Sequence, residues 1–156
     1  MSKSLLLCLI LLLPVCALAD KETTLFSSSG DAVAYIALSK ELMGEEQTIY
    51  LWSGKPVAYL VRVFYLLDKD TVKYDVYGFN GKHLGWFFHG IVGDHNGDTA
   101  CAIKEAINST NSEPSKAPKK LKPAKVIREP SPIGRRFSNS FGQIPCKSLL
   151  VSGSAD

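Results

Sequence analysis

The 156-residue chain offers few side chains for chemistry: three histidines, four cysteines, two tryptophans and two methionines. Its one long apolar run, SLLLCLILLLPVCALA, is shorter than the roughly 18 to 20 residues that span hydrocarbon and has no stop-transfer flank. A transmembrane span in the mature chain is therefore not expected. No zinc-finger spacing joins the cysteines and histidines and no basic helix is present, so nucleic acid is excluded as a partner. No serine or cysteine stands in a recognisable nucleophile motif, and no catalytic residue, cofactor or metal site is assigned.

The apolar run does fit an export signal. Lys3 precedes it, and it closes on Ala17-Leu18-Ala19, small residues at the two positions a signal peptidase reads. We expect residues 1–19 to be removed and the protein to be periplasmic or secreted from a bacterial cell. The alternatives are a retained anchor or a lipid-modified Cys16, although Val15 stands where a lipoprotein signal carries a small residue. Cys8 and Cys16 leave with the signal. Cys101 and Cys146 remain, and in an oxidising compartment an even pair favours a disulfide over two buried thiols.

Charge divides the mature chain. Residues 20–112 carry eight Lys and Arg against twelve Asp and Glu, a net of −4, whereas residues 113–136 carry eight against two, a net of +6. That second stretch, EPSKAPKKLKPAKVIREPSPIGRR, has no apolar periodicity and reads as an extended or disordered connector. An anionic surface is its natural partner if it has one; a solvated linker is the blander reading.

The sequence is most informative about a repeat. With Gly30, Gly54, Gly81 and Gly97 in one column, the segments LFSSSGDAVAYI, IYLWSGKPVAYL, VYGFNGKHLGWF and VGDHNGDTACAI align. Each reads as a strand, a two-residue Asn/Ser-Gly turn and a returning strand, the glycine supplying a positive φ. Repeated hairpins need a shared buried face, and Val33, Tyr35, Val57 and Tyr59 are expected to provide it. The expected fold is all-β, four hairpin repeats with pseudo-four-fold symmetry and an extended C-terminal tail. Its segments are a signal at 1–19, a β domain at 20–107, a basic Pro/Lys-rich linker at 108–136, and a C-terminal segment at 137–156 docked on the β domain. The insert after the second unit is expected to lengthen its strands through Val61 to Leu67. If Cys101 and Cys146 are bridged, Phe137, Phe141 and Ile144 should cover apolar surface.

The stretches IYLWSGKPVAYL, VYGFNGKHLGWF and GIVGDHNG resemble the 4-fold beta flower family, small bacterial proteins built from four such hairpins. The likeness runs from Leu25 to Ile103, and FSNSF at Phe137 to Phe141 resembles the family's C-terminal segment. It implies a fold and no activity. Phe88 and His89 stand where acidic residues are expected after Gly-Trp-Phe, and Cys101 sits in the last return strand, so no acidic site is carried over.

Two constellations invite chemistry. Asp94, Asn96, Asp98 and Glu105 have positions 1, 3, 5 and 12 of a calcium loop, but Thr99 holds position 6, where that loop needs glycine, and the hairpin already explains Gly97. His83, His89, Asp94 and His95 lie close in sequence and could serve acid–base work. Candidate binding residues are therefore Trp52, Asn80, His83, Trp86, Asp94 and His95, the aromatic and polar ends of the hairpins. The reading is an exported, non-enzymatic β module that binds a protein or an envelope surface. Its alternatives are an inhibitor or immunity-type protein acting on a partner enzyme, and a His/Asp-dependent hydrolase. Intact mass of the exported protein should correspond to a chain beginning at Asp20; retention of residues 1–19, or acyl chains on Cys16, would refute the signal assignment.

Overall fold

A computed structural model describes residues 22–41, 44–63, 72–134 and 136–155. The expected signal, including Cys16, lies outside these residues, as do 64–67 of the expected strand extension. Eight antiparallel strands run β1 Glu22–Phe26, β2 Ala32–Glu41, β3 Gly44–Leu51, β4 Pro56–Val63, β5 Lys73–Gly78, β6 His83–Phe88, β7 Ile91–Gly93 and β8 Thr99–Ala102. Each pairs with the next, and Phe26 opposite Ala102 joins β1 to β8, closing a barrel. Closure leaves no edge strand.

The four glycine turns obey one geometry. In each, the glycine amide donates to the carbonyl three residues earlier: Gly30 to Ser27, Gly54 to Leu51, Gly81 to Gly78, Gly97 to Asp94. The residue after each glycine accepts from that same earlier residue. These are three-residue loops with glycine in the left-handed position, one residue longer than the two-residue turn expected from the sequence. The two-residue turn lies elsewhere, at His89-Gly90, where both φ are positive and Phe88 pairs with Ile91.

A bulge follows three residues after every glycine, at Val33, Val57, Leu84 and Ala100, where the register shifts by one. It decides which side chains face in. Val57, Ala58 and Leu60 join the barrel interior with Ala34, Ile36, Leu84, Ala100 and Cys101, while Tyr59 and Tyr35 fall in separate clusters on the outer wall. The expectation that Val33, Tyr35, Val57 and Tyr59 share one face is corrected accordingly: strict alternation ignores the extra residue that a bulge inserts. The column after the bulge holds Ala34, Ala58, Gly85 and Cys101, small residues suited to the inside of an eight-stranded barrel.

The outer aromatics meet across the seams between neighbouring hairpins. Tyr35 pairs with Tyr50 across the first seam and Tyr59 with Tyr77 across the second; Trp86 faces Gly93 at the third and Ala102 faces Phe26 at the fourth. The basic segment covers three of these seams. Lys116 Nζ lies 4.6 Å from the Tyr35 ring centroid, Lys119 Nζ 5.8 Å from Tyr50, Lys125 Nζ 4.5 Å from Tyr59, and the Arg128 guanidinium 5.3 Å from Tyr77. Its backbone is held as well. Asn111, Lys120, Glu129 and Ser138 donate to the carbonyls of Gly30, Gly54, Gly81 and Gly97 at 2.8 to 3.0 Å. The anchors are nine residues apart, and Pro114, Pro123 and Pro132 recur with the same period.

The segment is thus a collar around the rim that carries all four glycine turns. This period is one of proline and backbone anchors and not of apolar side chains, so apolar periodicity does not register it. Prolines pre-set an extended backbone and lower the entropy lost on ordering, each turn carbonyl satisfies a collar amide, and the cations stack on rings.

Beyond the collar the chain crosses the fourth hairpin, where Thr99 bridges Phe141, and enters the barrel mouth as α1, Cys146–Val151. Cys146, Leu149 and Leu150 are buried in the main core. Phe137 packs against Trp86 and Phe88, but Ile144 is exposed, so Leu149 and Leu150 do the covering expected of it. Cys101 and Cys146 are bridged, closing a separation of 45 residues. Such a loop contributes on the order of 4 kcal/mol by chain entropy.

Gly81 has φ +85°, and a side chain there would also run into the Ile127 carbonyl of the collar. Gly81→Val should therefore lower stability by about 2 to 4 kcal/mol, while Lys82→Ala at an exposed position should change it little. Urea midpoints of the two variants check this; equal midpoints would refute the turn and collar assignment together.

Candidate functional site

The third seam departs from the pattern of the first two. Two residues before the turn glycine, where Trp52 and Phe79 stand in units two and three, unit four has His95. Two residues after it, where Ala32 and Pro56 stand, unit three has His83. Asp75 takes the place held by Thr24 and Thr48. The aromatic pattern is replaced here by titratable groups.

They form a chain of hydrogen bonds. His83 Nε2 lies 3.3 Å from Asp75 Oδ1, and His83 Nδ1 lies 2.9 Å from His95 Nε2. A carboxylate accepts only, so the neutral His83 carries its proton on Nε2 and presents a bare Nδ1; His95 Nε2 then donates to it. His95 Nδ1 is left as a lone pair with no partner among the described residues. His83 and Asp75 are buried and His95 is exposed, so the chain runs from the wall to the surface.

The collar completes the site from residues far away in sequence. Ser131 Oγ donates to Asp75 Oδ1 at 3.0 Å, the Glu129 carboxylate accepts the His83 backbone N–H at 2.6 Å, and the Tyr77 hydroxyl donates to the Glu129 carbonyl. Lys73 Nζ sits 4.8 Å from the Trp86 centroid, in the space that a side chain at Gly134 would need. Collar cations occupy the corresponding places at the first two seams, so a strand lysine substitutes for a missing collar lysine. Phe137 likewise fills the space above Gly93. Trp86, His95, Glu129, Pro130, Pro132 and Ile133 line a groove of about 380 Å³.

Of the six candidate binding residues, three come together: the His83 ring is 4.9 Å from Trp86 and 5.2 Å from His95. The other three serve the scaffold. Trp52 donates Nε1–H to the Pro114 carbonyl, Asn80 Nδ2 donates to the Ser152 carbonyl, and buried Asp94 accepts the amides of Asn96 and Asp98. His89 lies apart, stacked on Phe88. Asp75, Glu129 and Ser131 were not foreseen. The signal for Asp75 was available, as a carboxylate in a column that holds threonine in the first two units and isoleucine in the fourth; nothing local marks Glu129 or Ser131.

Among the described residues no serine or cysteine is hydrogen-bonded to either imidazole, since Ser131 turns to Asp75. Among the described residues no group of three or more His, Cys, Asp or Glu side chains converges as metal ligands would, and no helix is long and apolar enough to cross a membrane.

The model of one family, described as 4-fold beta flower protein, matches residues 23–150, and the chain belongs to that family. The match takes in the collar and α1 as well as the hairpins. Comparisons with curated proteins and with solved structures found no match.

Burial holds the His95 imidazole below its ordinary value of 6.5, and neighbouring His83 adds to the effect; Glu129 and Asp94 oppose it more weakly. The unfolded chain therefore binds a proton at His95 more readily than the folded one. Its contribution to stability is present above about pH 6.5 and is lost as the pH falls through the folded value. Urea midpoints followed downward from neutral pH should fall more steeply for the wild type than for His95→Gln; parallel profiles would show that His95 carries no such linkage.

Proposed function

We propose that the protein is an exported, non-enzymatic binding module that holds a protein partner in the groove of the third seam. The observation that carries this reading is a buried Asp75–His83–His95 chain that emerges at an exposed imidazole beside Ile133, itself 95% exposed. A neutral imidazole with a free Nδ1 accepts a hydrogen bond from a partner's N–H or O–H, while Ile133 and the two prolines offer apolar contact and Glu129 an anionic rim. The groove suits one or two side chains of an interface and not a whole small substrate. The scaffold around it is held by the collar bonds and the disulfide, so the groove is organised before a partner arrives, which lowers the cost of binding.

Residence outside the cytoplasm rests on the Lys3, apolar run and Ala17-Leu18-Ala19 pattern, and agrees with a disulfide joining the two cysteines that remain. Affinity capture from an envelope extract with the wild type, His95→Ala and Ile133→Asp tests the reading. A partner retained by the wild type and lost by both variants is expected. A single enzyme among the captured proteins would mark an inhibitor, and several envelope components a structural module. Capture unchanged in both variants would move the binding face away from the third seam.

A further inference from the structure

We propose that the second sector of the collar is a docking surface for an anionic lipid bilayer. Residues 119–128 hold Lys119, Lys120, Lys122, Lys125 and Arg128 and no acidic residue. Between the cations stand Leu121 and Ile127, 96% and 92% exposed. This exposure is built in. The backbone on either side is pinned by the Lys120 bond to Gly54, the Val126 bond to Phe79 and the Glu129 bond to Gly81. The two aliphatic side chains are therefore held out from the rim with no route back to the core.

Behind them a groove of about 640 Å³ runs between the collar and β4, lined by Tyr59, Val61, Arg62, Lys125, Ile127 and Arg128 among others. Among the described residues, the charged ones that line it, Arg62, Lys125 and Arg128, are all cationic. The pattern separates a bilayer from a protein partner. A protein interface centres on a contiguous apolar patch, whereas here Leu121 is set apart from the exposed Val126–Ile127 pair by Lys122 and Lys125. That arrangement suits headgroup phosphates around the cations and acyl chains around Leu121 and Ile127. This surface is one sector away from the groove of the third seam and does not depend on it.

Co-sedimentation of the mature, disulfide-bonded protein with vesicles tests the proposal. Binding is expected to phosphatidylcholine–phosphatidylglycerol vesicles and not to phosphatidylcholine alone, with release as salt is raised. The double variant Leu121→Ser/Ile127→Ser should lower the partition coefficient on the order of tenfold at an unchanged melting temperature. Leu121→Trp should bind at least as well as the wild type, its added emission moving to shorter wavelength on anionic vesicles only. Equal binding to both vesicle types, wild-type partitioning of the serine variant, or unshifted emission from the tryptophan variant would overturn it.

Discussion

The nine-residue spacing with which the collar meets the turn glycines is the constraint on which the rest of the structure depends. Each of Gly30, Gly54 and Gly81 is bound from two sides: its carbonyl accepts a collar amide, and its Cα lies against the carbonyl of Ser109, Pro118 or Ile127. Those carbonyls are also nine residues apart. A side chain at any of the three glycines would break the turn and expel the collar in one step, because the positive φ and the close approach coincide. Nine extended residues reach at most about 30 Å, so the hairpins cannot spread without breaking an anchor. The collar ties the four turns into one rim.

The same constraint explains where the charges went. A tract with a net charge of +6 would repel itself if it were left in water, yet four of its cations lie over tyrosine rings: Tyr35 and Tyr59, which the bulges turn outward, and their cross-strand partners Tyr50 and Tyr77. Lys116 and Lys119 also meet the carboxylate of Glu22. Burial pushes that carboxyl up, but the two lysines more than offset it and hold it below its ordinary value. Exposed contacts of this kind contribute little singly. Their repetition at successive seams, each with backbone bonds beside it, is what orders the segment.

A repeat also makes departures from it readable. The first two seams present tyrosine pairs to collar cations; the third presents Trp86, His95 and a glycine to a collar that has lost its lysine and gained Glu129, Ser131 and Phe137. Several replacements at one seam, on both the barrel and the collar side, concentrate the polar chemistry of the molecule in one place. The buried Asp75–His83 pair is stable there because each member finds partners: Ser131 for the carboxylate, His95 and the Glu129 side chain for the histidine.

The sequence alone determined the local features. Glycine at the four repeated turns marked where a positive φ is needed, four such turns in register predicted four hairpins, the cysteine count with the expected export signal predicted a pair, and the resemblance supplied the fold class. His83, Trp86 and His95 were legible as candidates because they stand among the aromatic and polar ends of the hairpins. The tertiary structure decided what depends on distance and handedness. Closure of the barrel is a property of all eight strands together. The outward turn of Tyr35 and Tyr59 follows from bulges that strict alternation does not register. The collar's period was written in Pro114, Pro123 and Pro132, but it acquires meaning only against turns that lie 81 to 41 residues before the anchoring amides, as the bonds from Asn111 to Gly30 through Ser138 to Gly97 cannot be read from either partner by itself. Ser131 and Asp75 are separated by 56 residues, and no local pattern links a hydroxyl in a proline-rich tract to a carboxylate in a strand; the closed rim brings them together.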